Sequence, residues 1–149
     1  RFGYIYEKVA LLFACFMFGL FAGAFTGQKI PLARTWTLLV DQAGIILILI
    51  VLLILLPLQT SSFVPYLFLF LFGFLGGHIF ILSNLPLIRE SRSYGLGYGL
   101  DLAGSFLGAI LGPPLFFPLL GLPATIMSLL ILNASCLLVL LLGRVYSHE

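Results

Sequence analysis

Charge is what this sequence has least of. Of its 149 residues seven are Lys or Arg and five are Asp or Glu, 8% in all, where an average soluble domain carries roughly 25%. The net charge of +2 and the lack of a basic stripe with interleaved aromatics exclude a nucleic-acid partner. Cysteine is scarce too. Cys15 and Cys136 both sit inside apolar runs and lack the close pairing that disulfide frameworks and metal sites show, so they read as reduced packing residues. There are two histidines, His78 and His148, and His148 lies at the tail, so a haem b held by two histidines cannot form within this chain. The motifs G-x-x-x-x-G-K-[ST], H-E-x-x-H and G-x-S-x-G are missing, as is a G-x-G-x-x-G following a strand. The string Gly95-Leu96-Gly97-Tyr98-Gly99 precedes an apolar helix and reads as a flexible loop, not a phosphate cradle. The chain alone is expected to be no enzyme and to bind no cofactor and no metal.

What it does have is apolar surface: 62% of residues are hydrophobic, with a mean hydropathy of +1.23. A soluble fold of this length could not hide so much. Lipid can solvate it, and five apolar segments each approach the ~20 residues that cross ~30 Å of hydrocarbon. The expectation is an all-α, polytopic transmembrane helical bundle of about five helices in one domain, over residues 4–27, 36–58, 64–87, 97–119 and 123–143. The stretch Ile45 to Leu56 is so uniformly aliphatic that broad exposure to lipid is expected. Pro65 suits a first helical turn. Pro113, Pro114 and Pro118 should kink the fourth helix or end its regular part early, because proline removes backbone donors and clashes with the preceding turn. Tyr4, Tyr6, Trp36, Tyr66, Tyr94, Tyr98 and Tyr146 all fall near span ends, as aromatic belts do.

With five spans, loops 28–35 and 88–97 share a side with the C-terminus, and that side holds Lys29, Arg34, Arg89, Arg92 and Arg144. The positive-inside rule makes it cytoplasmic, and a bacterial inner membrane is the expected location. Arg1 is not an initiating residue, so a piece of a longer chain or of a larger complex is expected.

Glycine marks the packing. Gly19, Gly23 and Gly27 recur every four residues, as do Gly104, Gly108 and Gly112, with Gly73 and Gly77 as a shorter version. That spacing lines one helix face. Lipid gives helices no hydrophobic reason to associate, and close backbone approach over small residues supplies van der Waals contact instead. Helices 1, 3 and 4 are therefore expected at the centre, with 2 and 5 more peripheral.

Ionisable groups at membrane depth cost roughly 2.5–3.5 kcal/mol at a helix centre and are candidate sites. Three stand out. Asp101, early in helix 4, has two readings: a binder of a proton, cation or polyamine, or a carboxylate favoured by a helix N-terminus and paired with Arg89 or Arg92. His78, near the middle of helix 3, relays a proton, ligates a metal or contacts a quinone, or else is a neutral ring bonded to a neighbouring helix. Asp41, with Gln42, opens the apolar part of helix 2 and is expected at the interface. Ser83, Asn84 and Asn133 read as interhelical hydrogen-bonders.

The stretch Tyr98-Gly-Leu-Asp101-Leu-Ala-Gly104-Ser-Phe-Leu-Gly108-Ala, continuing to Pro118-Leu-Leu-Gly121, resembles the membrane region of spermidine-synthase-like proteins. In that family a polytopic region similar in appearance to major-facilitator transporters precedes an aminopropyltransferase-like domain. Phe16-Met17-Phe18-Gly19-Leu20-Phe21-Ala22-Gly23 and Phe72-Gly73-Phe74-Leu75-Gly76-Gly77 are similar to two further helices of it. One departure is Phe80-Ile81, where the family often has Phe-Pro. The glycine-rich nucleoside-binding loop and the carboxylates of the soluble domain have no counterpart in these residues, so the resemblance implies a membrane region and not a transferase activity. The expected role is a non-catalytic membrane scaffold or anchoring subunit, its partners being the lipid bilayer and other membrane subunits or further parts of the same chain. A transporter-like half moving a small cation, polyamine or proton past Asp101 and His78 is one alternative. An accessory subunit of an electron-transfer complex is another.

Overall fold

A computed structural model describes residues 2–29, 34–58, 63–91 and 94–146. The elements are α1 (Phe2–Gly27), α2 (Arg34–Leu55), α3 (Val64–Ser91), α4 (Tyr94–Leu111), a π-helical segment (Gly112–Phe116) and α5 (Phe117–Tyr146), and no strand occurs among the described residues. Three of the helices end for a local reason. Beyond Gly27 the backbone turns, with Lys29 N–H donating to Thr26 O at 3.0 Å. α2 stops at Leu55, two residues ahead of Pro57, because the residue before a proline is pushed out of the helical region. α4 stops where Pro113 and Pro114 withdraw two backbone donors, and the widened turn closes with Phe117 N–H donating to Gly112 O.

Four stretches are long and apolar enough to cross a membrane: Tyr4–Gly27, Trp36–Leu55, Val64–Leu85 and Gly95–Gly143. The expectation of about five separate spans differs here, because the fourth and fifth run together as one 49-residue helical stretch. That stretch is broken at Gly121, whose φ of 74° and ψ of 171° belong to a region essentially restricted to glycine. Thr125 Oγ1 donates to the Gly121 carbonyl at 2.8 Å, which satisfies an acceptor loosened by the bend.

The hub is α3. It lies against α1 along most of its length, against α2 on a second face and against α4 near its C-terminal end. At about 100° per residue, Gly73 and Gly77 mark the α1 face, Leu75 and His78 the α2 face, and Phe80 and Ser83 the α4 face, which lies beside the α1 face and away from the α2 face. A helix serving three neighbours should be apolar nearly all round, and α3 is. Glycine sets the α1 distance: a Cβ on Gly19 or Gly23 would run into the backbone of Phe70 or Phe74, and one on Gly73 or Gly77 into that of Phe16 or Leu20.

The expected centre changes accordingly. α1 and α3 form it, but α4 does not join them: Gly104, Gly108 and Gly112 have nothing within 4 Å of the place a Cβ would take. Nor is α2 peripheral, because it bridges α3 and α5. Spacing by four defines a face, and it takes a second matching face to fill it. Gly73 and Gly77 fill the one on α1.

The described residues bury several polar side chains and expose most of the large apolar ones. The buried side chains include Asp41, Gln42, His78 and Thr125 beside Leu39, Leu49, Leu82 and Ile126, whereas Phe21 and Ile131 are 66% and 71% exposed. Leu49 also shows that the aliphatic run 45–56 is not uniformly lipid-facing. Water would penalise this distribution at about 25 cal/mol per Å² of apolar surface, and hydrocarbon does not.

Candidate functional site

Asp41 sits on the second turn of α2 and His78 in the C-terminal half of α3. Helix geometry gives both a similar depth. Asp41 is five residues past Trp36 and His78 seven before Leu85, the neighbouring span ends, which at 1.5 Å per residue is about 7–11 Å along the helix from those ends. The packing of α2 on α3 brings them into contact, with His78 Nδ1 and Asp41 Oδ2 2.5 Å apart. Both are buried: Asp41 is 6% exposed and His78 5%. Asp41 therefore packs inside the bundle, because an acceptor that can reach a donor in the protein interior is stabilised there and not in lipid.

The walls of the pair come from three helices. Phe74 stacks on the imidazole one helical turn earlier, with ring centres 6.0 Å apart and planes 10° from parallel. Gly27, the last residue of α1, leaves room for the ring, since a Cβ there would stand 3.0 Å from His78 Cδ2. Gly44 faces Leu75 on the same α2–α3 seam. Beside the pair, Gln42 Nε2 donates to Asn133 Oδ1 at 2.8 Å and to Asn133 O at 3.1 Å, tying α2 to α5. Asn133 Nδ2 in turn donates to Leu129 O at 2.8 Å. Among the described residues no side-chain nitrogen or oxygen is both buried and unpaired.

Asp101 lies elsewhere. It is exposed and lines a groove of about 360 Å³ between α3 and α4, together with Gly76, Phe80, Ser83, Asn84 and Gly97. This groove is on the face of α3 opposite His78. Asp101 has no ion-pair partner among the described residues, and the side chains of Arg89 and Arg92, its expected partners, lie outside them. Asn84 donates back to Phe80 O at 2.9 Å, and its side chain fills the space a Cβ on Gly97 would need, so this glycine lets α4 approach α3. Two further grooves, one along Val9, Phe13 and Leu69 and the other along Phe18, Tyr66 and Phe70, are almost wholly apolar and suit acyl chains. Both cysteines are free, and no three metal-ligating side chains converge among the described residues.

Of the three candidate ionisable residues, the fold joins Asp41 to His78 and leaves Asp101 apart. Sequence reasoning missed the partnership, as it missed Gln42 with Asn133. The available signal was depth, since Asp41 and His78 count inward by similar distances from span ends on the same side. Comparison with protein-family models, curated proteins and solved structures gave no match.

Proposed function

We propose that this chain is the membrane-embedded scaffold of a larger assembly, an anchoring domain or subunit without catalysis of its own that packs against partner helices. One contrast carries the reading. Two glycine registers have identical spacing, and the one on α1 is closed by the α3 backbone while Gly104, Gly108 and Gly112 on α4 meet nothing. In lipid, a small-residue face is where another helix backbone can come close. From Tyr98 to Leu111 α4 is exposed throughout, which suits an element waiting for a neighbour.

In this reading α4 and α5 are two crossings, giving five. A 49-residue helical stretch would extend about 74 Å at 1.5 Å per residue, far beyond ~30 Å of hydrocarbon, and Gly121 is the point at which it can fold back. The lysine and arginine distribution puts loops 28–35 and 88–97 and the C-terminus in the cytoplasm, at a bacterial inner membrane. The resemblance of helix 4 to spermidine-synthase-like membrane regions agrees with an anchoring role.

Native mass spectrometry of the assembly released from membranes tests this. The expected species is heavier than the 16.3 kDa chain, and Gly108→Leu reduces it towards that mass by filling the α4 face. A wild-type species of 16.3 kDa with its helices intact contradicts the proposal. Transport past Asp101 and His78 draws less support, since a single path would have to pass around α3 to reach both. An electron-transfer role rests on no described contact.

A further inference from the structure

We propose that the groove between α3 and α4 binds a phospholipid whose head carries a primary ammonium group. The ammonium sits on the Asp101 carboxylate, and an acyl chain runs inward past Phe80 and Ile79. This goes beyond the scaffold reading, which rests on the glycines further along α4 and gives this groove no ligand.

The groove has a polar end and an apolar end. α3 lines it with Asn84, Ser83, Phe80, Ile79 and Gly76, and α4 with Gly97, Leu100 and Asp101. Asn84 and Ser83 are one and two residues before Leu85, where the α3 span ends, and Asp101 is six past Gly95, where the next begins. At 1.5 Å per residue all three polar groups lie within about 9 Å of those ends. Gly76 is nine residues before Leu85, or about 14 Å, and the lining there is apolar. A phospholipid beside the chain has the same order, with its head at the span end and its chains further in.

Charge decides which head fits. Asp101 is exposed and has no ion pair among the described residues. A carboxylate facing hydrocarbon is costly unless a cation meets it, and an amine-headed lipid brings that cation from the bilayer itself. Asn84 adds a second acceptor. Its Nδ2 is committed to Phe80 O at 2.9 Å, and its Oδ1 is the atom that a Cβ on Gly97 would meet first, so the amide oxygen faces α4. A primary ammonium carries three donors and no acceptor, which matches a carboxylate beside an amide oxygen. A choline head has no N–H to donate, and a glycerol head has no cation.

The groove is also large enough and open. Its volume of about 360 Å³ falls within the roughly 300–1,000 Å³ of ligand pockets. Exposure of α4 from Tyr98 to Leu111 lets a lipid enter sideways from the bilayer. The two other grooves are almost wholly apolar and hold no charge that could select a head.

Native mass spectrometry of the full chain tests this, using nanodiscs with equal parts of ethanolamine-, choline- and glycerol-headed phospholipids of identical chains. The ethanolamine lipid should be retained over the other two by about tenfold or more, the usual worth of a hydrogen bond to a charged group. Asp101→Asn should abolish that preference and Asp101→Glu should keep it. Equal retention of the three lipids by the wild-type chain would overturn the proposal, whether or not Asp101→Asn folds, and is the result if Arg89, Arg92 or a partner helix already covers the carboxylate. A preference that survives in a folded Asp101→Asn chain would overturn it too. Glycerophosphoethanolamine, the same head without acyl chains, should not displace the lipid at equal concentration, and displacement would contradict the place given to the chain.

Discussion

Asp41 and His78 stabilise each other only as a pair, and this asymmetry can be measured. Removing one member of a buried ion pair strands the other at a cost of about 3–5 kcal/mol, whereas replacing both by well-packed apolar residues is often near neutral. His78→Ala should therefore destabilise the folded chain by about 3–5 kcal/mol, and Asp41→Leu combined with His78→Leu by clearly less. Reversible unfolding in mixed micelles compares the two. Equal losses would mean that the contact is packing and not a charge pair. At this scale the sequence was partly legible. It exposed both groups, because an ionisable residue in an apolar run is conspicuous. It hid their meeting, because 37 residues separate them and the contact exists only once α2 lies on α3. Gln42 was masked by its neighbour. Read beside Asp41 it looked interfacial, and nothing in its own segment pointed to Asn133, 91 residues on.

Between elements, glycine is a statement about distance. Where two backbones touch, a methyl group has nowhere to go, and where one faces open space it costs almost nothing. Gly23→Ala should destabilise the α1–α3 seam by about 1–3 kcal/mol, the usual range for forced overpacking. Gly108→Ala should stay within about 0.5 kcal/mol in the isolated chain. The same unfolding measurement gives both values, and similar losses at the two positions would contradict the seam. The spacing of Gly19, Gly23 and Gly27 and of Gly73 and Gly77 announced this interface plainly. The identical spacing of Gly104, Gly108 and Gly112 announced a face and could not say whether this chain covers it. The prolines after α4 likewise marked the end of its regular part, and the break expected between 119 and 123 falls where the chain bends at Gly121, but nothing marked the π turn that joins the two.

For the whole molecule, composition was decisive. So little charge and so much apolar surface fit only a helical protein in hydrocarbon, and the exposure of most large apolar side chains follows from that solvent. What composition could not supply was the arrangement, in which α3 is the hub and α4 the outlier, because every helix is apolar enough to lie anywhere. The account depends on α1 and α3 being in backbone contact inside the bilayer. A cross-link tests this most directly. With Cys15 and Cys136 replaced, Leu20→Cys and Gly76→Cys should be joined by a short bifunctional thiol reagent in native membranes, because a Cβ on Gly76 would stand 3.8 Å from Leu20 Cδ2, which places the two positions side by side across the α1–α3 seam. Rapid, near-complete cross-linking within single chains is the predicted result. Two reactive thiols that never join would contradict it.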